Sequence, residues 1–236
     1  MKTWQRIQEK VYSESNEATK NVQFNTPKVR ILKNEVKKLS KHNKRKLKIL
    51  DLGCNDGGIS FMLAREGHIV CGVDLPKVIK IAKKRYKHPN LTFITADLSN
   101  EFPFKKNTFD IVVAFDIIEH IPDDVKFLQE IYDVLKSKGI CILQTPNIGY
   151  FVTRLEVLLG IWRRHEYDVH YHHYTFKTIE NLFRKVGFKI IKSIGVCYEK
   201  GPKKWLLIEK YFQKLLNLKL WLLVRNHESV CSCSNL

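Results

Sequence analysis

Apolar positions recur along this chain in two rhythms. Over 26–40, Val29, Ile31, Leu32, Val36 and Leu39 fall at helical spacing, and Pro27 suits a first helical turn. From 47 onward, short runs rich in β-branched residues alternate with amphipathic stretches. The pattern predicts strands at 47–53, 69–75, 91–96, 109–115, 140–144 and 188–196, and helices at 58–66, 76–86, 123–136 and 175–186, the last closed by Gly187. A helix at 205–216 and a final strand at 220–224 complete the series. Such alternation requires crossover connections, hence a mostly parallel sheet with helices on both faces, an α/β fold. Residues 1–25 form a polar, patternless N-terminal arm, and 147–174 is an irregular excursion. No internal repeat or low-complexity linker divides the chain, so a single domain over 1–236 is expected.

Composition narrows the class without naming a chemistry. With 44% hydrophobic and 28% charged residues, the chain belongs among folded globular proteins rather than disordered ones. The net charge of +17 points to nucleic acid, an anionic membrane or an acidic substrate. Lysines spread over solvated faces explain it equally, since only 37–48 is a dense run. Cys54, Cys71, Cys141, Cys197, Cys231 and Cys233 match no disulfide or zinc spacing. The N-terminus lacks the apolar core of a signal peptide, and no apolar run approaches the roughly 18 residues of a membrane span, so a cytoplasmic protein is expected.

Candidate chemistry gathers at the predicted strand ends, where open α/β sheets bind ligands. Asp51, Asp74, Asp97 and Asp116 each stand at or just beyond the carboxyl end of a strand. The stretch "KLKILDLGCNDGGIS" (46–60) reads as a strand, a glycine-rich loop and a helix start, yet its acidic residues do not suit phosphate. Asn55 occupies the middle glycine position of a dinucleotide-type loop, and a carboxylate at Asp51 suits a cation. Asp74 is placed to accept two hydrogen bonds from a ribose diol, and Asp97 one from an exocyclic amine. A nucleoside ending in an amino acid and a sulfonium satisfies this set, which describes S-adenosylmethionine. A helix cap or turn former is the alternative for each carboxylate, most of all for Asp97, which Leu98 and Ser99 follow.

Five motifs in order, "ILDLGCNDGG", "CGVDLP", "ITADLSNEFPF", "FDIVVAFDIIEHIPD" and "VLKSKGICILQTPN", resemble those of the class I S-adenosylmethionine-dependent methyltransferases, types 11 and 23, over about 45–195. The resemblance implies a Rossmann-like seven-stranded sheet whose last strand is antiparallel, a place that 220–224 fills. It also implies cofactor contacts from Asp51, Gly53, Cys54, Asn55, Gly57, Asp74, Leu75, Asp97, Leu98 and Phe115. Asn55 departs from the family's usual glycine, but asparagine tolerates the left-handed backbone such a loop needs. The segment "TPNIGYFVTRLEVLLG" is similar to MetW-like proteins of methionine biosynthesis and to surface-polysaccharide methyltransferases.

On the acceptor side, a helical Asp116-Ile117-Ile118-Glu119-His120 would bring 116, 119 and 120 to one face. Similar motifs in ubiquinone-pathway O-methyltransferases and Hen-type RNA 2′-O-methyltransferases hold a metal. Asp116 is shorter than their glutamate, so a metal-free site is expected, with Asp116, Glu119 and His120 as the alternative ligand set. His170, His172 and His173 precede a helix capped by Thr175, and by resemblance His170 faces the site. Strand-like alternation would put His170 and His172 on one side and His173 on the other. His120 or His170 is the expected base, and 147–174 the expected acceptor-side cover. The basic amphipathic stretch 200–223 is either a helix (200–218) inserted before the last strand or a membrane-surface element. Together these features predict methylation, with oxygen as the expected target, of a small, lipid-linked or otherwise carrier-linked acceptor. The rivals are an RNA methyltransferase and a non-catalytic partner that regulates a biosynthetic enzyme.

Overall fold

A computed structural model describes residues 26–100, 102–160, 170–196 and 219–226. The predicted N-terminal arm and the helix at 200–218 lie outside these residues. The first helix, α1 (Pro27–Asn43), starts at the proline, which has no N–H to leave unpaired, and ends where Lys44 turns left-handed at φ 50°. Parallel strands β1 (Lys48–Leu52), β2 (Ile69–Asp74), β3 (Leu91–Thr95) and β4 (Phe109–Phe115) alternate with helices α2 (Gly58–Arg65) and α3 (Pro76–Arg85). Then come α4 (Asp124–Val134), β5 (Leu135–Pro146), α5 (Phe151–Leu158), α6 (Phe176–Val186), β6 (Phe188–Val196) and β7 (Lys219–Asn226). The sheet order is β3-β2-β1-β4-β5-β7-β6, and β7 runs antiparallel to both of its neighbours. Strand order reverses between β1 and β4, which opens a crevice at their carboxyl ends.

One element boundary needs correcting. The helix expected at 123–136 stops at Val134, and the strand expected at 140–144 begins at Leu135. Leu135 is fully buried and pairs with Phe109, which pulls it into the sheet. The polar stretch after it then bulges: Lys138 adopts φ 63°, and a Cβ at Gly139 would lie 2.7 Å from the Lys136 carbonyl oxygen.

Helices cover both faces of the sheet. Val29, Leu32 and Val36 of α1 and Leu63 of α2 pack on Ile49, Ile111 and Val113. Phe127, Leu128 and Ile131 of α4 and Ile179 and Phe183 of α6 pack on Leu50, Leu52, Val112 and Ala114. Residues alternate between the two faces along β1 and β4, as the pleat requires. At the amino-terminal pole, the Asp110 carboxylate accepts from Arg45 Nη2 (2.6 Å), Arg45 Nη1 (3.0 Å), Lys136 Nζ (2.9 Å) and the Lys48 amide (2.8 Å). That knot joins β1, β4 and β5 at the end of the sheet away from the candidate site.

Candidate functional site

The loop leaving β1 is built on positive φ. Gly53 (φ 68°), Asn55 (φ 49°) and Gly57 (φ 85°) all lie in the left-handed region. The amides of Gly53 and Cys54 both donate to the Val73 carbonyl, at 2.9 and 3.1 Å, which ties the loop to β2. A Cβ on Gly57 would meet Phe93 at 2.5 Å, so this position needs glycine for space as well as for φ.

Asp51 and Asp74, at the ends of β1 and β2, are almost fully buried. Asp51 accepts from Ser60 Oγ at 2.5 Å. Burial raises its pKa to about 7, against the lowering effect of Ser60. Asp74 accepts the Asn55 amide on Oδ2 (2.9 Å) and the Leu75 amide on Oδ1 (2.7 Å). Burial raises its pKa to about 6 in spite of these bonds. Each Asp74 oxygen uses one lone pair on the backbone and keeps another, which is the capacity a vicinal diol requires. Burial also pushes the Cys54 thiol upward, so the cysteine acts as a packed neutral wall.

Asp97 is half-buried and engaged within its own turn. Its Oδ1 accepts from the Ser99 amide (3.0 Å) and hydroxyl (2.7 Å), and its Oδ2 from Asn100 (2.8 Å). Leu98 is buried in the core beside Ile117, and Phe115 ends β4 with Lys28 Nζ 5.9 Å from its ring centroid.

At the end of β4 the expected helical face does not form. Asp116 adopts φ 52°, and only Ile118–His120 makes a 3₁₀ turn. The Asp116 carboxylate accepts from Gln144 Nε2 at 3.1 and 3.2 Å and faces Lys28 at 3.8 Å. Among the described residues, the group of potential metal ligands is instead Glu119, His120 and His170, with one ligand atom of each lying within 4.8 Å of the others. The ring centroids of His120 and His170 are 4.7 Å apart. Buried Glu119 accepts from Thr145 Oγ1 at 2.9 Å.

Backbone bonds create this meeting. The amides of Tyr171 (2.8 Å) and His172 (3.3 Å) both donate to the Glu119 carbonyl, and Ile148 donates to that of Tyr174 (2.9 Å). Residues 170–174 are therefore no strand, and the expected alternation of histidines fails. His170 neighbours His173, whereas His172 turns to the Pro122 carbonyl at 3.1 Å and toward Asp124 at 3.7 Å.

Sequence reasoning missed three residues around the loop, Ser60, Gly72 and Lys28, and gave the acidic Asp56 no structural role. Ser60 anchors Asp51, and Gly72 makes room for it, because a Cβ there would lie 2.8 Å from Ser60 Oγ. Asp56 belongs to the scaffold. It accepts from the Gly58 amide (3.1 Å) and from Arg85 (2.6 Å). Lys28, the third, draws the Asp51 pKa down through its positive charge. Its place in the first turn of an amphipathic helix carried no signal.

A glycine loop, a buried acid after each of the first two strands and an antiparallel seventh strand set this sheet apart from dinucleotide-binding folds. Residues 24–193 match the Methyltransf_23 family, described as a methyltransferase domain. The chain belongs to that family. This methyltransferase uses S-adenosylmethionine as its methyl donor. It is similar to a ubiquinone biosynthesis O-methyltransferase of Bartonella quintana, 28% identical over 167 residues and 67% of each chain. It is similar to a probable S-adenosylmethionine-dependent methyltransferase of Mycolicibacterium smegmatis, 26% identical over 65% of this chain and 56% of that one. The chain spans about half the length of two further ubiquinone biosynthesis O-methyltransferases. Among solved structures, an S-adenosylmethionine-dependent methyltransferase from Mesorhizobium loti shares the fold, with a TM-score of 0.60 at 19% identity over 76% of this chain and 91% of that one.

Proposed function

We propose that this methyltransferase methylates an oxygen of a small or carrier-linked acceptor, with His120 or His170 receiving the acceptor's proton. The observation that carries the reading is the convergence of Glu119, His120 and His170, the first two just after Ile117, which lies against Gly53 of the loop that follows β1. Asp51 would face the cationic methionine end of the cofactor, along the backbone of Gly53, Cys54, Asn55 and Gly57. Asp74 would take the ribose diol on its two remaining lone pairs. Asp97 would accept from the adenine amine, with Leu75, Leu98 and Phe115 supplying apolar surface. Bound S-adenosylmethionine supplies a methyl carbon already activated by positive sulfur, which leaves positioning and proton removal to the chain. An imidazole within hydrogen-bond reach of the acceptor hydroxyl takes its proton, and the Glu119 carboxylate stabilises the imidazolium that results. A ubiquinone O-methyltransferase as relative favours an oxygen acceptor over RNA, for which the net charge of +17 is the supporting feature.

The same three side chains support a second reading. Two imidazoles and one carboxylate suit a divalent ion such as manganese or zinc, and His170 would stand where the sequence suggested Asp116. Such an ion would act as a Lewis acid on the acceptor oxygen.

Transfer of radiolabelled methyl to a panel of phenols, carrier-linked hydroxyls and RNA, with and without chelator, decides among these readings. The base reading expects chelator-independent turnover of a hydroxyl acceptor. Loss with chelator and recovery with added metal would replace it with the metal reading. Labelling of RNA alone would reject the small-molecule acceptor, and transfer to any acceptor excludes a non-catalytic partner.

A further inference from the structure

Helix α5 leaves the candidate acceptor rim with its apolar side outward. Phe151 (49%), Leu155 (44%), Val157 (48%), Leu158 (82%) and the following Leu159 (65%) are all strongly exposed. Helical spacing places them on one continuous arc, while Thr153 faces inward and is buried. Arg154 is the charged residue on that arc, and Glu156 falls outside it, half-buried. Side chains exposed in this way make a patch of several hundred Å², the size that marks an interaction surface. The sequence continues with Ile161, Trp162, Arg163 and Arg164, again apolar and cationic.

We propose that α5 docks this methyltransferase onto an anionic lipid surface, with the leucines entering the acyl boundary and Arg154 meeting headgroup phosphate. Charge decides the occupant. A cation amid apolar residues complements a negative interface, and a chain of net charge +17 is drawn to one from a distance. A second copy fits poorly, because a two-fold contact would set two Arg154 side chains within one shared patch, and a stable dimer buries about 800 Å² per partner. Among the described residues no helix is long and apolar enough to cross a membrane, so contact through α5 is interfacial. The loop before α5 is tied to the histidine segment by the Asn147–Tyr174 bridge, so docking would turn the acceptor rim toward the lipid.

The test is co-sedimentation of the full chain with vesicles of phosphatidylcholine, either pure or mixed with phosphatidylglycerol, at low and high salt. The binding is read without turnover and does not hinge on the acceptor assignment. We expect binding to the mixed vesicles that salt weakens. Leu158→Glu, and independently Leu159→Glu beyond the helix, should each weaken it about tenfold or more, as loss of a buried leucine implies. A retained thermal shift with S-adenosylmethionine shows that each variant is folded. Arg154→Glu should weaken binding to the mixed vesicles only. Wild-type protein that sediments with neither vesicle, or folded leucine variants that bind as wild type does, would overturn the proposal. So would a wild-type dimer in light scattering that Leu158→Glu converts to monomer.

Discussion

Asp51 and Asp74 hold their protons to a pKa of about 7 and about 6 because burial penalises the charged forms. Carboxyls of the unfolded chain ionise near 3.9, so between about pH 4 and 7 the folded chain binds more protons. Without ligand, stability from these two groups is therefore full below about pH 4 and falls as pH rises through 6 and 7. A cation and a diol favour the ionised carboxylates, so cofactor affinity should rise over the same window. The thermal shift produced by S-adenosylmethionine should be larger near about pH 8 than near about pH 5.5, and equal shifts would contradict this account. Asp74→Ala should weaken cofactor binding by about 1.5–3 kcal/mol, the range for hydrogen bonds to a charged group, as measured by calorimetry. Such residues were legible because strand ends and acids coincide in the sequence. Ser60 was not, since its contact with Asp51 depends on the missing side chain of Gly72 across the sheet.

Single elements carry two further consequences. Three strands meet at Asp110, whose pKa falls to about 2 because bonds from Arg45, Lys48 and Lys136 outweigh burial. Its contribution is in place above about pH 4 and is lost as pH falls toward 2. Arg45 and Lys136 keep contact with water, so Asp110→Asn should cost only about 1.5 kcal/mol in urea denaturation. At the opposite pole, the Tyr174 hydroxyl donates to Asp124 Oδ2 at 2.8 Å, which fastens the histidine segment to the first turn of α4. Tyr174→Phe removes that bond and keeps the ring. It should lower kcat while leaving cofactor affinity unchanged, and equal losses of both would show a general loosening of the fold. None of this strap was legible beforehand. His120 and His170 lie far apart in the chain, and the bonds that join their segments run from backbone amides to the Glu119 carbonyl, a group every residue carries. The histidine alternation failed for the same reason, because side-chain period says nothing where the backbone is not a strand.

For the molecule as a whole, the alternation of apolar runs was enough to predict an α/β sheet. The start of β5 escaped because Leu135 and Lys136 read as the end of a helix and Ser137, Lys138 and Gly139 as the turn after it, whereas burial of Leu135 against Phe109 decides the matter. The sheet order has a consequence in time as well as in space. β7 pairs with β5 from Ile140 to Pro146 and with β6 from Phe188 to Val196, both of which precede it in the chain. A ribosome delivers strands in order, so β5 and β6 emerge before the strand that belongs between them. Until residues 219–226 follow, each presents an open hydrogen-bonding edge, the feature that recruits foreign strands. Chains stalled after β6 should therefore aggregate rather than linger as soluble fragments, and helper proteins that shield nascent edges should raise the yield of this protein. Of the described strands, the one made last is the keystone of the sheet.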